Sequence, residues 1–268
     1  QGDEKAIDSF SARLTSLLKS YYFVGGMPEA VEVFADTGRL ADARDVQNEI
    51  LLGYERDISK HLDLRETEFT LAAWNSIPAH LGRENKKFVF GHIRDGARAR
   101  DYRSAITWLC EAGITTRVPR VAKPGIPLSA YADESAFKLF SVDVGLLAAM
   151  SQLDESSVVN GNALFTEFKG SLTEQYVCQE LVATGFSPCY WSAENSSGEI
   201  DFMVQHGGYV YPIEVKAEEN LRAKSLAAFN RTHEGMRCRR FSLSGFRDEG
   251  WMRNVPLYSI GNVRNWTC

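Results

Sequence analysis

The chain has 268 residues, 44% of them apolar and 24% charged, a composition suited to globular protein with room for two buried cores. No apolar run approaches the roughly 20 residues of a spanning helix, and no signal-peptide pattern opens the sequence, so a cytoplasmic protein without membrane contact is expected. Five cysteines without paired spacing argue against a disulfide framework or a zinc site. The net charge of −5 does not advertise nucleic-acid binding, yet it is uneven: residues 66–131 carry ten Lys/Arg against six Asp/Glu.

The first sixty residues read mostly as helix. Ile7, Phe10, Leu14, Leu17 and Leu18 form one apolar face. Gly25-Gly26-Met27-Pro28 breaks it, and the proline opens a new helix that Thr37-Gly38 ends. Val46, Ile50 and Tyr54, spaced by four, mark a third helix. Residues 1–65 are thus expected to be a helical segment.

Residues 66–160 suggest a winged helix. Phe69 to Leu81 fits a first helix, and Phe88-Val89-Phe90 leads to a second helix or strand. Asp101 is expected to cap a third helix, Tyr102 to Ala112, which Gly113 ends. Ile114 to Val121 and Phe137 to Phe140 would be the strands of the wing. In a DNA-reading winged helix the third helix enters the major groove. That makes Arg98, Arg100 and Arg103 at its start, and Arg117, Arg120 and Lys123 in the wing, candidate DNA contacts. A guanidinium fork suits phosphate or guanine. A solvated face or an acidic partner surface is the plainer alternative.

Asn160-Gly161-Asn162 marks a boundary, and residues 161–268 read helix, strand, strand, strand, helix, strand. Within them, Gly198 to Val204 and Tyr211 to Lys216 form two apolar strands around the turn Gln205-His206-Gly207-Gly208. Glu214 and Lys216 share a strand face, and the hairpin can bring Asp201 to them. Two carboxylates suit a hard divalent cation, and a lysine beside them suits handling of a water. Glu199 shares the face of Asp201. Arg237, Arg239 and Arg240 form a basic cluster that could track a phosphate backbone or guard an edge strand.

The order of helix glutamate, strand aspartate and E-x-K resembles the PD-(D/E)XK nuclease superfamily, with Ile200 where a proline usually precedes the aspartate. The resemblance implies a restriction-endonuclease-like fold, Glu174, Asp201 and Glu214 as Mg²⁺ ligands, and catalysis by these with Lys216. Tyr22 to Ala30, Gly53 to Lys60 and Phe137 to Leu147 resemble the region after the motor in a family of prokaryotic AAA-type ATPases. That family implies a helical lid, a winged helix and a restriction-endonuclease-like domain of unknown function. No G-x-x-x-x-G-K-[ST] run occurs here, so ATP hydrolysis by these residues is not expected. The expected fold class is α+β multidomain: a helical and winged-helix region, then an α/β domain with a central mixed sheet. The expected partners are DNA and the N-terminal ATPase module of such a protein. Two alternatives stand beside a nuclease: a non-catalytic docking or regulatory module, and a winged-helix transcription regulator.

Overall fold

A computed structural model of the chain describes residues 2–157, 166–193, 198–217 and 223–267. It is a mixed α/β structure, with helices first and an eight-stranded mixed sheet in order β2-β1-β3-β4-β5-β6-β8-β7. The residues form two compact units. One holds residues 1–18, 118–137 and 176–268, the other residues 19–117 and 138–175. The expected boundary at Asn160-Gly161-Asn162 lies outside the described residues.

The helical unit contains the end of α2 (Ser11–Val24) from Lys19 on, then α3 (Pro28–Thr37), α4 (Leu40–His61), α5 (Leu64–Asn75), α6 (Ile77–Leu81), α7 (Ala99–Glu111) and α8 (Val144–Met150), after α1 (Gly2–Ser9) and the start of α2 in the other unit. Pro28 sits in the first turn of α3, and Gly38 ends that helix at φ 68°. A left-handed residue costs glycine little, which is why helices stop there. The first apolar face differs from expectation, because α1 and α2 break at Phe10. Phe10 and Leu17 are exposed, whereas Leu18 is buried. Helix α7 also starts earlier than Asp101 suggests. Arg98 occupies the cap position without a side-chain bond, and Asp101 lies in the first turn, where a carboxylate suits the positive end of the helix dipole.

In the sheet unit, β3 (Cys189–Ser192), β4 (Glu199–His206) and β5 (Tyr209–Val215) precede β6 (Cys238–Ser242), β7 (Arg247–Asp248) and β8 (Met252–Pro256). Parts of β1 (Thr115–Val121) and β2 (Ala132–Ser141) complete its edge, and β1 pairs parallel with β3. Gly207 and Gly208 join β4 to β5 at φ 56° and 80°. Two positive φ angles define the tight turn whose twist matches a hairpin. β5, β6 and β8 then run parallel, and β5 and β6 are buried at almost every position. A parallel sheet covered on both faces reads as unbroken apolar runs. Helix α10 (Lys224–Thr232) covers one face through Leu226 and Phe229, packed with Met203, Val210, Cys238 and Met252. On the other face α11 (Arg264–Thr267) brings Trp266 edge-on to Tyr211 and Phe241.

Candidate functional site

The β4–β5 hairpin sets the geometry of the candidate site. Phe202 pairs with Ile213, Met203 with Pro212 and Val204 with Tyr211. One step further along this antiparallel register puts Asp201 opposite Glu214. Residues opposite each other share a face, with Cβ atoms about 5 Å apart. Asp201 is half-buried, and its Oδ2 accepts the Val215 amide at 2.7 Å. Glu214 is 5% exposed, and the Lys216 ammonium lies 2.7 Å from its Oε1. The second oxygen, Oε2, is buried and has no hydrogen-bond partner among the described residues. Lys216 keeps about a third of its side chain in solvent, 33%.

The polar row continues across the sheet. Glu214 pairs with Arg240 on β6, and Arg240 with Asn254 on β8. Arg240 is fully buried, donating Nε to Asn254 Oδ1 at 2.8 Å and Nη2 to Glu249 Oε1 at 3.1 Å. Ser242 donates to the same Asn254 oxygen at 2.8 Å. Asn254 itself donates to the carbonyls of Ser244 and Gly245. Burying a guanidinium is tolerable only with such partners. Sequence reasoning missed Asn254 and Glu249. The available signal was the polar pair Arg253-Asn254 within the short strand Met252 to Pro256, of which alternation turns one inward.

Arg237, Arg239 and Arg240 do not form the expected basic surface. Adjacent strand residues point to opposite faces. Arg239 donates to the Trp266 carbonyl and, at 3.0 Å, to the Cys238 carbonyl; burial pulls its guanidinium down to about 10. Arg237 stacks over Tyr209 at 3.6 Å and donates to Tyr211 and the Thr267 carbonyl. Arg239 and Arg240, buried and bonded, are withdrawn from any phosphate backbone, while Arg237 is half-buried and held by these bonds.

Glu174 lies on α9 (Thr166–Ala183) within the part assigned to the helical unit, whereas Asp201, Glu214 and Lys216 belong to the sheet unit. Its carboxylate accepts from Lys86 at 2.6 Å and lies 3.9 Å from Lys138, which is fully buried. Two ammonium groups compete with any cation for that carboxylate. Among the described residues no group of three His, Cys, Asp or Glu side chains is arranged to hold a metal ion.

The candidate DNA contacts divide. Arg98, Arg100 and Arg103 on α7 are exposed, and Arg100 lies 3.6 Å from the Asp101 carboxylate. Arg117 is half-buried in the helical unit. Arg120 belongs to the sheet unit and donates to Ser192 Oγ and the Ser192 carbonyl, both at 2.9 Å. Asp133 lies 3.7 Å from it. Lys123 sits 4.7 Å over the Tyr131 ring.

Residues 15–157, a little over half of the chain, match the model of a family described as a domain of unknown function, DUF8612. The chain belongs to that family. Residues 169–250 match a second domain of unknown function, DUF4143, which is found in ATPase-associated proteins of the AAA type. No curated protein and no solved structure matches. The DUF8612 segment carries the exposed α7 arginines, and the DUF4143 segment carries Glu174, Asp201, Glu214 and Lys216. No helix among the described residues is long and apolar enough to cross a membrane.

Proposed function

We propose that the end of the β4–β5 hairpin is a divalent-cation site for phosphodiester hydrolysis, in a chain that works beside an AAA-type ATPase module. The carrying observation is Glu214 Oε2, a buried acceptor with no hydrogen-bond partner among the described residues, opposite Asp201 and next to Lys216. An unsatisfied buried carboxylate oxygen is costly, and a hard cation such as Mg²⁺ is the ligand that relieves it. Asp201 and Glu214 would hold the cation through oxygen. When bound, it would polarise a phosphoryl oxygen and stabilise charge on the leaving group. Lys216 reaches solvent from the same strand face and would orient the attacking water. Arg240, fixed by Asn254 and Glu249, adds positive charge beside Glu214 in the strand register. Glu174 is left out of this ligand set, because Lys86 and Lys138 already neutralise it.

DNA is the proposed substrate, and the exposed Arg98, Arg100 and Arg103 supply a face for its backbone. Arg120 takes no part, since Ser192 and Asp133 hold its guanidinium. Neutralising the three α7 arginines should weaken duplex binding and flatten its salt dependence by about one unit per lost phosphate contact.

A second reading is a non-catalytic docking module of the ATPase. It is favoured by the Asp201 bond to the Val215 amide, which gives that carboxylate a structural task. One experiment separates the two. Plasmid, single-stranded and branched DNA are incubated with the protein in Mg²⁺ or Mn²⁺, with Asp201→Asn and Glu214→Gln alongside. Cleavage by the wild type that both substitutions abolish supports the nuclease reading. Cleavage that survives them, or no cleavage and no Mn²⁺ binding by calorimetry, rejects it.

A further inference from the structure

The two motifs with no part in the hairpin chemistry, Gly-Gly-Met-Pro-Glu and Gly-Tyr-Glu-Arg-Asp, meet in the helical unit. Met27, Pro28 and Glu29 at the start of α3 and Ile50, Gly53, Tyr54 and Asp57 on α4 line one cavity of about 420 Å³. Its walls are the half-buried Met27, Ile50 and Tyr54, while Pro28, Glu29 and Asp57 at the mouth are exposed. Its charged lining consists of two carboxylates.

Gly53 lies in the interior of α4, with a φ outside the left-handed region. A Cβ built there would meet no atom within 4 Å. A helix-interior glycine is costly relative to alanine, because the unfolded chain gains freedom and no side chain packs. Neither backbone conformation nor steric crowding requires this one. An open floor under the cavity accounts for it, since any larger residue would fill the space.

We propose that this cavity receives a lysine or arginine side chain from a partner protein. The apolar walls suit an alkyl stem, the Tyr54 ring suits the face of a cation, and Glu29 and Asp57 meet the charged head at the mouth. A small free ligand is usually enclosed for most of its surface, whereas three of the seven lining residues here are exposed. A side chain presented by a macromolecule closes that mouth with its own surface. The proposal is independent of the hairpin site.

The test uses the full chain and blocked Ala-Ala-Lys-Ala-Ala and Ala-Ala-Arg-Ala-Ala peptides, with a norleucine peptide and butylammonium chloride as controls. Chemical shifts of the Met27 methyl and the Tyr54 ring are followed by NMR. A cationic peptide should shift both saturably, with a dissociation constant of about 1 mM. Glu29→Gln with Asp57→Asn should weaken binding about tenfold, reading the loss of two rim charges. Gly53→Leu should abolish binding while the thermal midpoint stays level or rises. Should Gly53→Leu lower the midpoint, the exposed rim pair alone decides. No saturable shift, equal binding of the norleucine peptide, binding as tight by butylammonium, or indifference to the rim pair overturns the proposal.

Discussion

The Asp143 carboxylate accepts the Gly26 amide at 2.7 Å and the Leu146 amide at 2.9 Å. One side chain therefore caps α8 and clamps the Gly-Gly corner between α2 and α3. Asp143 is 2% exposed. Around it, Gln47 donates Nε2 to the carbonyls of Phe23 and Val24, and a Cβ on Gly145 would meet that same Nε2 at 2.6 Å. Gly25 holds φ 72°, and a Cβ there would come 2.1 Å from Asp143 Oδ1. Asp143→Ala strands the buried Leu146 amide and the part-buried Gly26 amide and should cost about 3 kcal/mol, from charged bonds worth ~1.5–3 kcal/mol plus the desolvation left behind. Gly25→Ala combines left-handed strain with a direct clash and should cost at least ~2 kcal/mol. Urea unfolding of each variant with an unchanged m value checks both.

Glu174, Lys86 and Lys138 make a buried ionic cluster, and the expected thermodynamics are those of such clusters. Removing one partner leaves a buried charge uncompensated, at about 3–5 kcal/mol. Glu174→Ala should fall in that range, because the fully buried Lys138 loses its carboxylate. The pair Glu174→Leu with Lys138→Met should recover most of the loss, since apolar replacement of both partners is often neutral. Divalent-cation binding should be unchanged in both variants. A double variant no more stable than Glu174→Ala, or one that loses Mn²⁺ binding, contradicts this assignment.

Local signals carried much of this fold, and distant partners carried little of it. The hairpin was readable because two apolar runs flank Gly207-Gly208, and glycine takes both positive φ angles at little cost. The Pro28 start and Gly38 end of α3 were readable for the same local reason. Arg239 and Arg240 misled because a cluster in sequence is split between faces in a strand, and this sheet is buried on both. The partners of Glu174 lie 36 and 88 residues away, beyond the reach of any periodicity. At the candidate site, the shared face of Glu214 and Lys216 followed from alternation. The Arg240–Asn254 continuation required strand order, which sequence spacing does not contain.

Glu214 should destabilise the cation-free protein. Its Oε2 is buried without a hydrogen-bond partner among the described residues, and such an atom costs about 1–3 kcal/mol. Glu214→Gln lowers the charge and should leave stability level or raise it by about 1 kcal/mol. Added Mn²⁺ should stabilise the folded wild type by about 2.7 kcal/mol at a hundred times the dissociation constant, and so raise its midpoint. Glu214→Gln and Asp201→Asn should lose that response. Calorimetric melts with and without Mn²⁺ read both effects. A wild-type midpoint that does not move, or equal movement in the two variants, counts against the site.

Cys189 and Cys238 lie in the core under α10, and burial pushes each thiol up to about 11 from the usual 9. In the unfolded chain these thiols ionise first. Between pH 9 and 11 the folded state therefore holds more protons than the unfolded one, so stability falls as pH rises. The contribution is complete below pH 9 and lost as pH passes about 11. Two pKa units correspond to at most about 2.7 kcal/mol for each thiol. Cys189→Ala with Cys238→Ala should flatten this limb of the stability profile, at the expense of some core packing at every pH. Urea midpoints measured from pH 7 to 10.5 distinguish the two effects. Parallel profiles for wild type and double variant would show that these thiols do not govern the alkaline loss.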